Sequence, residues 1–88
     1  MVSRVVKITN PTGLHLRPAG QLCNKAIEFS SIVTFKYNGN NIANAKSVLS
    51  VLGACVKSGD EIELICEGDD EEKALSELTQ LIESGLGE

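Results

Sequence analysis

Hydrophobic and polar positions change their period several times along this chain, and each change marks an element. From Val2 to Ile8, valines and isoleucine alternate loosely with Arg4 and Lys7, which reads as a strand. Asn10, Pro11, Thr12 and Gly13 are turn formers and interrupt it. From Leu16 onward, Ala19, Leu22, Cys23, Ala26 and Ile27 recur at the three-and-four spacing of one helical face, predicting a helix to about Glu28. Pro18 fits within its first turn, where an amide has no intrahelical acceptor. Ser30 and Ser31 break that helix. Ile32 to Tyr37 is β-rich, Asn38-Gly39 is a strong hairpin signal, and Asn41 to Ala45 is the returning strand.

Ser47 can cap a short second helix, in which Val48, Leu49, Val51, Leu52 and Cys55 supply more apolar positions than burial requires. Gly53 and Ser58-Gly59-Asp60 lead into Glu61-Ile62-Glu63-Leu64, the clean alternation of a half-buried strand with its acids outside. Asp69 followed by Glu72 resembles a capping box. Ala74, Leu75, Leu78, Leu81 and Ile82 then line a last amphipathic helix that ends near Gly85. The order is βαββαβα. Helices sharing apolar faces with a four-stranded, mostly antiparallel sheet predict a two-layer α+β fold.

Eighty-eight residues without repeat or linker are expected to form one small domain, 1–88. A domain of this size buries somewhat over ~60% of its unfolded surface, enough for a single core without staples. Aromatics are few (Phe29, Phe35, Tyr37), so aliphatic residues and alanine must fill that core. A net charge of −4 argues against nucleic acid and anionic membranes as partners. The basic cluster worth noting is local, at Arg17 and Lys46. Cys23, Cys55 and Cys66 lack any CxxC pairing; Cys23 lies on the apolar helical face and Cys66 alternates with Ile62 and Leu64, so buried free thiols are expected. Met1 to Lys7 is too short and too charged for a signal peptide, and no apolar run could insert in or span a bilayer, so a reducing cytoplasm is expected.

The candidate chemistry centres on Gly13-Leu14-His15-Leu16-Arg17-Pro18-Ala19, which holds the only histidine. His15 falls close to a helix N-cap, beside free backbone N–H groups and the positive end of the helix dipole, surroundings that suit an anion. A neutral imidazole nitrogen is a good nucleophile, and its phosphoramidate stays reactive enough to pass the group on. Arg17, two residues later in the same turn, can reach such a group with its guanidinium. No second histidine and no nearby carboxylate accompany His15, which leaves zinc ligation and a catalytic triad poorly supported; no metal and no cofactor is expected.

Gly13-Leu14-His15-Leu16-Arg17-Pro18-Ala19 resembles the active-site signature of HPr, the histidine phosphocarrier family of the bacterial phosphoenolpyruvate:sugar phosphotransferase system. Lys46-Ser47-Val48-Leu49-Ser50-Val51-Leu52-Gly53 resembles that family's regulatory-serine segment, and the similarity runs from about Val2 to the Gly85-Leu86-Gly87-Glu88 tail. The resemblance implies an open-faced β-sandwich with three helices on one face. It implies a monomeric carrier, not an enzyme, that accepts a phosphoryl group on Nδ1 of His15 from Enzyme I and donates it to sugar-specific IIA domains. Arg17 would steady the phosphate, with Gly13, Leu16 and Pro18 framing the site. Ser47 would be the target of an HPr kinase/phosphorylase, and the phosphoserine form a corepressor with the catabolite control regulator. Leu16, Val48, Leu49 and Leu52 would form an apolar docking patch.

Two departures from the family pattern bear on partners. Leu16 is bulkier than the alanine or threonine common there, and the stretch from Asn38-Gly39 to Lys46-Ser47 is one residue longer than usual. A rival reading is an HPr-like regulatory binding module acting in carbon catabolite control; such paralogues tend to lose the histidine, which this chain keeps. A ferredoxin-like RNA-binding domain would need stacking aromatics and a basic face, and a phosphohydrolase a catalytic acid or metal cluster. The sequence carries neither set.

Overall fold

The computed structural model describes residues 1–87. Every predicted element is present, in the order β1 (Val2–Lys7), α1 (Leu16–Ile27), β2 (Ile32–Tyr37), β3 (Asn41–Asn44), α2 (Val48–Gly53), β4 (Glu61–Glu67) and α3 (Glu71–Glu83). The four strands form one sheet in the order β1-β4-β2-β3. All three pairings are antiparallel.

Register explains which face is covered. Val6 opposes Ile62, Arg4 opposes Leu64, Val33 opposes Cys66, and Phe35 lies between Leu64 and Ala43. Of these, all but Arg4 are buried, and α1 and α3 pack their apolar stripes (Ala19, Leu22, Ala26; Ala74, Leu78, Ile82) into the same core. The other face stays open, with Val5, Glu63, Lys36 and Ile42 in one row across the sheet. Helices on one side and solvent on the other make the predicted open-faced, two-layer α+β sandwich.

Three expectations need correction. The capping box predicted from Asp69 and Glu72 does not form; Asp70 is the N-cap of α3, and its side chain makes no bond to its own helix. That carboxylate instead accepts from the amides of Ser30 (2.9 Å) and Ser31 (3.0 Å) and from the Ser31 hydroxyl, across the sheet end. Glu71 supplies the reach-back, accepting from Gly68 N at 3.1 Å. Second, Cys23 and Cys66 are buried thiols, but Cys55 is exposed because it falls after α2, with φ +54. Burial pushes the Cys66 thiol up to about 11.

Third, Lys46 does not join Arg17. Its ammonium donates to the Phe29 carbonyl at 2.7 Å, just past the C-terminus of α1, where helix carbonyls attract a cation. At the chain's far end the predicted stop at Gly85 holds: Gly85 has φ +97 and Leu86 N bonds Leu81 O at 3.1 Å, the closure expected of a left-handed C-terminal residue. Glu88, at the end of the tail named with the family resemblance, lies outside the described residues.

Candidate functional site

Asn10 builds the turn ahead of α1. It is buried, its Nδ2 donates to Gly13 O at 2.7 Å, and its carbonyl accepts from Gly13 N at 3.2 Å. Gly13 then adopts φ +65 and lies so close to the α2–β4 loop that a Cβ would stand 2.6 Å from Val56 O and 2.7 Å from Lys57 Cα. No side chain fits there. Leu14 follows, buried, with its amide on Val56 O at 2.9 Å. Held by these contacts, the chain delivers His15 to the N-cap of α1 in extended backbone (φ −78, ψ −173).

His15, Leu16 and Arg17 are exposed, whereas Pro18 and Ala19 are buried and anchor the turn. The imidazole makes no cap bond to its own helix. The first helical bond is Ala19 N to His15 O, 2.8 Å, and Pro18 has no donor. The Leu16 and Arg17 amides are therefore left without a helical acceptor at the positive end of a twelve-residue helix. No carboxylate forms an ion pair with Arg17 among the described residues. This arrangement can take a small multiply charged anion on or beside the imidazole.

A cavity of about 280 Å³ opens beside His15, lined by Leu14, His15, Leu52, Cys55, Val56 and Lys57. It joins the two sequence motifs through Leu52. Ser47 is the N-cap of α2, its hydroxyl accepting from Ser50 N at 3.2 Å, and Cys23 Sγ on Lys46 O (3.0 Å) ties that cap to α1. Leu16 and Leu49 are 69% and 83% exposed, Val48 and Leu52 are half-buried, and Val51 alone of α2 is buried. So Leu16, Leu49 and Leu52 are available at the surface. Among the described residues, no three His, Cys, Asp or Glu side chains form a metal-binding group.

Sequence reasoning treated Asn10 only as a turn former and passed over Val56 and Lys57. Val56 and Lys57 are far from the motif in sequence and meet it only through folding.

Comparison with known proteins gives the chain a family. The sequence model of the PTS HPr component phosphorylation site matches residues 2–84. The phosphocarrier protein HPr of Buchnera aphidicola is 40% identical over 82 residues, covering 93% of this chain and 95% of that one. The HPr-like protein Crh of Bacillus subtilis is 35% identical over 83 residues, covering 94% and 96%. Among solved structures, HPr-C-His from Thermoanaerobacter tengcongensis superposes with a TM-score of 0.95 at 41% identity, covering 100% of this chain and 98% of its own. By the family model and these identities the chain falls in the class of phosphocarrier proteins. Within that class the chain belongs to the HPr family. No helix among the described residues is long and apolar enough to cross a membrane.

Proposed function

We propose that the 88-residue chain acts as one cytoplasmic phosphocarrier unit of the sugar phosphotransferase system, with His15 as its phosphoryl acceptor. Phospho-Enzyme I is the donor and a histidine on a sugar-specific IIA domain the recipient. The lone pair of His15 Nδ1 forms the new N–P bond as the donor's bond to phosphorus breaks, its electron pair returning to the donor nitrogen. One proton leaves the far ring nitrogen, and the donor ring takes one up. Arg17 and the Leu16 and Arg17 amides hold the phosphoryl oxygens. Charge-assisted bonds of this kind contribute about 1.5–3 kcal/mol each when well formed, less in water, which suits a cargo that must be released. The carrier works stoichiometrically, with no cofactor, by positioning and electrostatics.

The observation that carries this reading is the exposed His15 imidazole, uncommitted to its own helix, above donors that have no helical acceptor. Leu16, Val48, Leu49 and Leu52 are the apolar contact for Enzyme I and the IIA domains. Incubation with Enzyme I and phosphoenolpyruvate tests it: one acid-labile, alkali-stable phosphate is expected on the native protein and none on His15→Ala. Equal labelling of both would overturn it.

A second reading adds regulation, favoured by the 35% identity with the HPr-like protein Crh and by Ser47 at the head of α2. Phosphate on Ser47, from an HPr kinase/phosphorylase, would bring roughly −1.5 to −2 charges. A helix N-terminus tolerates that load, so the fold persists while the neighbouring Leu49 surface becomes anionic. That surface would repel an acidic partner and attract a basic one such as the catabolite control regulator. ATP and the kinase should give an acid-stable phosphate that Ser47→Ala lacks; its persistence in the variant would move the site elsewhere.

A further inference from the structure

Arg17 lies exposed in the first turn of α1, two residues after His15. A second cation borders the cavity beside His15, on the α2–β4 loop. Lys57 lines the same space as the imidazole. Its α-carbon lies against Gly13, two residues from His15, at the contact that excludes any Cβ. Its backbone is pinned at both ends: Lys57 N donates to Asp60 Oδ2 at 3.0 Å, and Asp60 N donates to Lys57 O at 3.0 Å. The residue is exposed, and no carboxylate forms an ion pair with its ammonium among the described residues. Two other lysines are spent elsewhere: Lys25 on Glu77 and Glu28, Lys46 on Phe29 O. In a chain of net charge −4, an unspent lysine beside the one histidine is a local exception.

We propose that Lys57 is the second cation of the His15 site, holding the phosphoryl group from the α2–β4 loop. The inference rests on His15 as the acceptor and adds a phosphate-binding residue to it. Lysine suits this side: its ammonium is a compact, strongly hydrated point charge on a flexible stem. It can swing over the cavity to meet a dianion and swing away when the group departs. Arg17 supplies directional bonds; Lys57 supplies charge. The phosphorylated state is thereby stabilised relative to the free one, which shifts the transfer equilibrium itself.

That consequence separates the proposal from a docking or folding role, because an equilibrium constant compares only the loaded and unloaded carriers. His15 is loaded from phosphoramidate, the ring nitrogen taking the phosphoryl group as ammonia leaves, and the loaded fraction is read by ³¹P NMR at fixed donor-to-ammonia ratio. Lys57→Gln should lower the loading constant by about fivefold, the upper end for one solvent-exposed charge contact. Lys57→Arg should restore it. Lys73→Gln, which removes the same charge beside the opposite end of α1, should match the native protein, and urea midpoints should show Lys57→Gln fully folded. A Lys57→Gln constant within about twofold of native, less than the ~1 kcal/mol such a contact can reach, overturns the proposal, as does absence of phosphate on His15 in the native protein. Native loading from phosphoramidate without loading by Enzyme I would instead sink the phosphotransferase reading and leave the role of Lys57 to the comparison above.

Discussion

The two ends of α1 are treated oppositely by the fold. At the C-terminal end, polar groups are spent. The Asp70 carboxylate takes the amides of Ser30 and Ser31 and the Ser31 hydroxyl, Lys46 caps Phe29 O, and Lys25 bridges Glu28 and Glu77 on α3. Ser31 is itself buried, and a Cβ at Gly68 would stand 2.7 Å from it, so the two turns fit without slack. At the N-terminal end the imidazole makes no cap bond, and Arg17 has no carboxylate partner among the described residues. Stability is supplied at one pole. The other is left with donors in hand, as the proposed anion site would require.

The sharpest way to break that contrast is to disturb the one rigid feature behind the free pole. Gly13→Ala forces a Cβ into Val56 O at a φ of +65. It should cost about 1–3 kcal/mol in urea unfolding and shift His15 enough to slow phosphorylation by Enzyme I at least tenfold. A fully active, undisturbed variant would show that the α2–β4 loop does not position the histidine.

Asp70→Asn attacks the opposite pole. It should lower the thermal midpoint clearly while leaving the rate of His15 phosphorylation unchanged. Its pH signature follows from direction. The Ser31 hydroxyl first, then the Ser30 amide, hold the Asp70 carboxyl down to about 2 from an ordinary 3.8. A lowered folded-state value means the contribution is complete above 3.8 and is lost as pH falls through about 2. Acid unfolding of Asp70→Asn should therefore be less steep than that of the native protein over that window. Identical acid limbs would remove Asp70 from the account.

Ser47→Ala removes the bond to Ser50 N and should cost about 0.5–2 kcal/mol by urea unfolding, with acceptance from Enzyme I preserved. Loss of acceptance would tie α2 more closely to the chemistry than its geometry suggests. The smallest change is Leu16→Thr. Because Leu16 is 69% exposed, stability should stay within about 0.5 kcal/mol, and only the KM for Enzyme I should rise, a few-fold, with loss of the apolar contact. A large stability change would contradict the placement of Leu16 at the surface.

Much of the fold was legible along the chain because local patterns and tertiary needs agree. The alternation in Glu61 to Leu64 and the stripe from Ala19 to Ile27 each name a single buried face. Three readings failed where neighbours in sequence did not fix a side chain's surroundings. Asp69 and Glu72 had the spacing of a cap, but helix initiation fell to Asp70, whose carboxylate is claimed by a turn thirty-nine residues earlier in sequence. Lys46 sits beside Ser47 and reads as part of the basic site until the end of α1 comes within its reach. Cys55 counted as apolar by type, yet α2 ended before it and left it outside.

Linear order alone therefore determined the elements, their sequence βαββαβα, and the residue types that make His15, Arg17 and Ser47 candidates for phosphate chemistry. Those follow from short-range sterics and periodicity, which act between neighbours. Tertiary packing decided which charges stay unpaired. It took Lys46 away from the histidine, brought Lys57 and Val56 to it, and set Gly13 against a loop with no room for a side chain. Coulombic and hydrogen-bonding partners are chosen by distance in space, and that distance exists only once the helices have closed over the sheet.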